Sequence, residues 1–131
     1  MVHTISRVRG TWQLYINMVT NNGISNIEEL LAGDAAGKRF THIAIGTGAS
    51  PVTGAETALT GQVAKPILTF NYLTGGYIQF NAQIDATDPA INVCEMGLLN
   101  ADGVLCYRQV ITPVLTVTGV VYSLGYKIKL S

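Results

Sequence analysis

Two apolar runs flank Asn100-Ala101-Asp102-Gly103, and the first run holds a carboxylate. The segment reads Glu95-Met96-Gly97-Leu98-Leu99-Asn100-Ala101-Asp102-Gly103-Val104-Leu105. Asp and Gly tolerate the positive φ angles of tight turns, so Asp-Gly between apolar runs predicts a β-hairpin. Alternation puts Ile91, Val93, Glu95, Gly97 and Leu99 on one face and Asn92, Cys94, Met96 and Leu98 on the other. Both faces are largely apolar, unlike a sheet with one solvated side. Either both are covered within one chain or one packs on another copy. An unpaired buried charge is costly, so Glu95 needs a partner. Arg108 on the opposing arm shares its face if the turn has two residues. With a three-residue turn it does not, and backbone amides or an Arg of a neighbouring subunit become the better partners.

The rest of the chain predicts one or two N-terminal helices followed by about six strands, an antiparallel β-sandwich. Ile5, Val8, Trp12, Tyr15, Ile16 and Val19 have helical spacing, and Asn21-Asn22-Gly23 breaks it. Ser25-Asn26-Ile27-Glu28 has capping-box form, opening a second helix with an Ile27, Leu30, Leu31 stripe and Gly33 as its stop. Glu28 and Glu29 then lie in its first turn, where the helix dipole favours anions. Strands follow over 40–45, over 63–73 with Pro66 at an edge or bulge, over 77–84, in the hairpin, and over 120–130. Gly46 to Gly54 is loop, and 56–60 could form one helical turn. The division expected is a helical docking segment over 1–24 and a sandwich over 25–131.

Composition narrows function. Of 131 residues, 48% are apolar and only 12% charged, and eight basic residues cancel eight acidic ones. Such a chain lacks the basic footprint that nucleic acid requires. It also offers little charge repulsion against self-association. No apolar run reaches the ~20 residues of a membrane span. The N-terminus lacks a signal peptide's apolar core, so synthesis in a cytoplasm is expected. Cys94 and Cys106 would sit ~15 Å apart on the hairpin arms, too far to bridge, and read as small buried hydrophobes. The glycine-rich stretch lacks the Gly-Lys-Ser/Thr of a P-loop and the helix of a dinucleotide fingerprint. His42 reads as a core or interface imidazole bonded to backbone, and Asp85 and Asp88 as a turn-capping pair. Tyr72 and Tyr77 with nearby Asn and Gln could form a glycan-binding face. No metal, cofactor or catalytic set is nominated, so no enzyme is expected.

Three stretches resemble a domain of bacteriophage tail-fibre, baseplate and collar proteins. They are Val19-Thr20-Asn21-Asn22-Gly23-Ile24 with Leu30-Leu31-Ala32-Gly33-Asp34, then Thr41-His42-Ile43-Ala44-Ile45-Gly46-Thr47-Gly48 with Glu56-Thr57-Ala58-Leu59, and the hairpin itself. The resemblance implies a non-enzymatic virion component, usually homotrimeric, in the tail or neck and assembled in the host cytoplasm. Its expected partners are itself, other tail or neck proteins and a host-surface receptor. Tail-fibre chains usually run on into shafts and tips, whereas this one stops at Ser131, which suggests a short adaptor, collar or baseplate-peripheral piece. A receptor- or glycan-binding module and a capsid-decorating protein are the alternatives. Trp12 and Tyr15 are the expected docking anchors, since aromatics dominate interface energetics, and Glu95 and Arg108 the expected subunit-contact residues.

Overall fold

The computed structural model describes residues 18–129. Two antiparallel sheets face each other. One has four strands in the order β2-β1-β5-β6, formed by Val63–Pro66, Phe40–Gly46, Asn92–Asn100 and Leu105–Leu115. The other has three in the order β3-β4-β7, formed by Thr69–Leu73, Tyr77–Ile84 and Tyr122–Lys129. The β-sandwich expectation is met, with seven strands. The seventh comes from a break in the expected 63–73 strand. Pro66 ends β2, Ile67 N–H donates to the Thr41 carbonyl and Leu68 N–H to the Asn81 carbonyl, so the chain crosses between sheets. No helical turn forms over 56–60, which is loop. Among the described residues no helix is long and apolar enough to cross a membrane.

The main core lies between the sheets, where Ile43, Ile45, Leu98, Tyr107, Leu124 and Tyr126 are buried. Alternation delivers them: in β7 Leu124, Tyr126 and Ile128 point inward while Ser123, Gly125 and Lys127 face out. Phe40 packs edge-on against Phe80 and Tyr107, and Tyr107 against Tyr126. The Tyr126 hydroxyl is buried with no hydrogen-bond partner among the described residues. Burial pushes its pKa well above the ordinary tyrosine value, and that of Tyr107 up to about 12. An unmet buried hydroxyl costs about 1–3 kcal/mol. Tyr126→Phe is therefore expected to stabilise the fold by about 1 kcal/mol and to raise Tm by a few degrees in a thermal melt. A lower Tm would mean the hydroxyl is satisfied.

The helix α1 spans Asn21–Ala32. It starts earlier than Ser25, and the expected division at residue 24 falls inside it. Thr20 is the N-cap: its Oγ1 accepts from Gly23 N–H at 2.9 Å and donates to the Leu105 carbonyl at 2.7 Å. Asn21-Asn22-Gly23 is thus the first turn rather than a break, and Glu28 and Glu29 lie past the first turn. Gly33 closes the helix at φ 73° as expected, with its own N–H and that of Asp34 returning to Leu30 and Glu29. The stripe of Ile27, Leu30 and Leu31 is buried only in part: Ile27 packs against the core, whereas Leu31 is 84% exposed and Leu30 is also exposed. Gly23 and Asn26 face the sandwich beside Ile27. Asn26 exchanges two hydrogen bonds with the Lys38 backbone and accepts one from the Asn100 side chain, which ties helix to hairpin. The expected 5–19 helix, with Trp12 and Tyr15, lies outside the described residues except for Met18 and Val19. Val19 is buried and bridges Tyr107.

Candidate functional site

The hairpin turn has three loop residues, and yet Arg108 shares the face of Glu95. Asn100 N–H donates to the Val104 carbonyl, Gly103 N–H returns to the Asn100 carbonyl, and Gly103 takes φ 79°. Asn100 Oδ1 accepts from the amides of Asp102 and Val104, which fixes the turn. The register pairs Leu99 with Leu105 but Leu98 with Tyr107, so Cys106 is an inserted bulge residue. That insertion restores the pairing a two-residue turn would have set: Gly97 faces Arg108 and Glu95 faces Val110.

Glu95 is 1% exposed and Arg108 4%. Arg108 Nε donates to Glu95 Oε1 at 2.7 Å within the same chain, so no arginine of a neighbouring subunit is needed. Glu95 Oε2 accepts from Gly48 N–H and Thr60 N–H, both at 2.8 Å. Arg108 Nη2 donates to the Ser50 carbonyl at 2.9 Å and Nη1 to Glu56 Oε2 at 3.1 Å. Glu56 in turn accepts from the amides of Thr53 and Gly54. The loop between β1 and β2 is thereby strapped across the outer face of β5. Leu59 from that loop packs with Ala44, Leu99 and Leu105 in a second small core. Both faces of β5 are therefore covered within one chain.

This strap explains the glycines. A Cβ on Gly46 or on Gly48 would lie 2.6 Å from Glu95 Oε2. The backbone must come within hydrogen-bonding reach of a carboxylate, and only glycine leaves the room. The sequence carries one further signal for this strap, Thr53-Gly54-Ala55-Glu56, the Ser/Thr-x-x-Glu pattern whose glutamate reaches back to the threonine amide. Here it makes that contact without a helix. Burial pushes the Glu56 carboxyl up, but the amides of Thr53, Glu56 and Gly54 and the charge of Arg108 outweigh it and hold the pKa below the ordinary value. Both Glu95 oxygens are engaged by donors, so the carboxylate clamps the loop to the strand.

Other expected site residues separate. Phe70 pairs with Phe80 and Tyr72 with Ile78, whereas Leu73 pairs with Tyr77. Tyr72 and Tyr77 thus lie on opposite faces of one hairpin and do not form a joint glycan site. Tyr77 sits beneath the ammonium groups of Lys127 and Lys129, at 4.9 and 5.5 Å, beside a ladder in which Gln79 donates to Asn81, and Asn81 to Thr69 and Asn71. Tyr72 lies against Phe70 in an apolar groove of about 1070 Å3 between α1 and the β3–β4 hairpin, with Leu31, Leu68 and Ile78 also in its wall. Of the expected capping pair, Asp88 caps the turn by accepting from the Asp85 amide, the Asp85 side chain accepts from Gln83, and both carboxylates lie against Lys65. The Lys65 hydrogen bond and the Asp85 amide hold Asp88 below the ordinary carboxylate pKa. His42 Nδ1 meets the Thr41 hydroxyl at 2.8 Å rather than a backbone group. Both cysteines are buried and free, and burial pushes Cys106 up to about 12, far from a reactive thiolate. Among the described residues no cluster of three His, Cys, Asp or Glu side chains could hold a metal.

Fold and site together define an antiparallel two-sheet sandwich whose central strand is locked by a loop clamped to a buried ion pair. No protein-family model matches this chain, and neither does any curated protein or solved structure.

Proposed function

We propose that this chain is a structural component of a bacteriophage tail, a fibre, collar or baseplate-peripheral adaptor that self-associates as a homotrimer and attaches to other virion proteins. The observation that carries the reading is the apolar surface one chain leaves uncovered. Leu31, Leu68, Phe70 and Tyr72 are exposed around the groove, and Val114, Leu115, Val117, Val120 and Val121 along the β6–β7 connection. Contiguous apolar patches on a charge-poor surface mark protein contacts. The resemblance of the sequence to tail proteins supplies the setting. The buried carboxylate is spent on the strap, which favours assembly over catalysis. With Tyr72 and Tyr77 on opposite faces, the glycan-binding alternative has less support.

Immunogold labelling of particles tests the location, and light scattering the self-association. Labelling absent from the tail and neck, or a stable monomer, would refute the reading. The docking role of the N-terminal segment has its own test. Val19 and Thr20 belong to the sandwich, so the test is a variant lacking residues 1–17. The truncated chain is expected to melt as the full chain does and to be lost from particles. Normal incorporation would remove that role from Trp12 and Tyr15.

A further inference from the structure

The two sheets have four edges, and three of them are guarded. Proteins protect free edges with prolines, lysines and covering segments, because unpaired backbone groups template the addition of another strand. β2 carries Lys65 and Pro66. β7 carries Lys127 and Lys129. β6 contains Pro113, and its beginning is covered by Val19 and Thr20, whose amide donates to the Cys106 carbonyl. β3, Thr69-Phe70-Asn71-Tyr72-Leu73, has no charge, no proline and no cover among the described residues, and all five residues are exposed.

We propose that β3 is a dimerisation edge, pairing antiparallel with β3 of a second copy of this chain about a two-fold axis at Asn71. The strand is self-complementary in that register. Phe70 of each copy lies opposite Tyr72 of the other, both on the apolar face that Ile78 and Phe80 continue. Thr69 lies opposite Leu73, and Asn71 opposite Asn71. The Asn71 amide oxygen already accepts from Asn81, at 2.9 Å, which leaves its amide N–H groups for the other copy. Charge selects the occupant. An uncharged edge would strip water from the lysines of β7 without compensation, β2 ends in Pro66, and β6 carries Pro113 and the Val19–Thr20 cover, so among this chain's own edges β3 matches only itself. A five-residue ladder is only about 17 Å long, short of the roughly 1,200 Å2 that a stable contact buries. The groove supplies the remainder: its floor runs on into the second copy's Phe70 and Tyr72, and Leu31 and Leu68 stand at its rim.

This inference rests on the self-association proposed above, and combined with three-fold assembly it gives a particle of six chains. The test is the mass of the full-length chain by light scattering and sedimentation, beside Tyr72→Lys. Tyr72 is 78% exposed in one chain, so the lysine leaves the fold intact, which circular dichroism checks. The wild type is expected to hold an even number of chains and the variant half as many. Phe70→Glu alone should halve the mass too, and mixing it with Tyr72→Lys should restore the pair, because the register sets residue 70 against residue 72. An odd count in the wild type, an unchanged mass in Tyr72→Lys, or no recovery on mixing would overturn the proposal. A variant that sediments as a monomer would retain the pairing and remove the trimer, whereas a trimeric variant retains both.

Discussion

Glu95→Ala is expected to lower stability by about 3 kcal/mol, the low end of the cost of breaking a buried ion pair because Arg108 keeps Glu56, and Tm by roughly 10 °C. The change takes from the Arg108 guanidinium, 4% exposed, the nearer of its two carboxylates, leaving it Glu56 and the Ser50 carbonyl, and frees the amides of Gly48 and Thr60. Glu95→Gln should fail as well. Three donors converge on the two oxygens, and a carboxamide presents one acceptor and one donor, so one side meets a donor with a donor. Replacing both partners should hurt less than the sum. Glu95→Ala with Arg108→Met removes the most buried pair, leaving Glu56 on the amides of Thr53 and Gly54, and apolar substitutes for a buried pair are often tolerated. Thermal melts of the wild type, Glu95→Ala, Arg108→Met and the double variant test this, and additive losses would mean that the pair is not coupled. Any oligomer should weaken in parallel, since the strap holds β5 in the sheet. Glu56 adds a pH dependence. Its carboxyl pKa is depressed in the fold, so its contribution is present above the unfolded value and is lost as pH falls through the lower folded one. The strap should therefore loosen in acid.

The strand pattern was legible because alternation is local. The outward polar residues of β4 and β7, the Asp-Gly turn and the Gly33 stop all follow from short-range chemistry. The hairpin register was legible only as two alternatives. The turn takes the three-residue form and a bulge at Cys106 cancels its shift, and no local signal at Cys106 announces the insertion. The site divides in the same way. Glu95 and Arg108 were identified by the oddity of a carboxylate in an apolar strand. Gly48, Thr60 and Glu56 lie 47, 35 and 52 residues from the side chains they bond, a distance no periodicity bridges. Leu30 and Leu31 carry the Ile27 stripe of α1 out onto exposed surface, although an apolar stripe normally marks the buried face.

Gly23→Ala is expected to destabilise the protein by roughly 2–3 kcal/mol, against the sign that helix propensity assigns. In an isolated helix, alanine is about 1 kcal/mol better than glycine. Gly23 sits in the first turn of α1, where its missing side chain faces β6. A Cβ there would stand 2.0 Å from the Cys106 carbonyl oxygen and 2.8 Å from the Cys106 Cα. Both are backbone atoms of a strand inside a sheet, so no rotamer relieves the contact and the helix start must lift away. Lifting it breaks the two bonds that seat Thr20, to the Cys106 and Leu105 carbonyls. It also pulls on Asn26, whose side chain ties the helix to Asn100 in the hairpin. Ser25→Ala is the control, an exposed position on the same helix where propensity alone should act. Chemical denaturation of both variants separates the effects. Stabilisation by Gly23→Ala would mean that α1 does not dock on β6 as closely as its hydrogen bonds to Thr20 require.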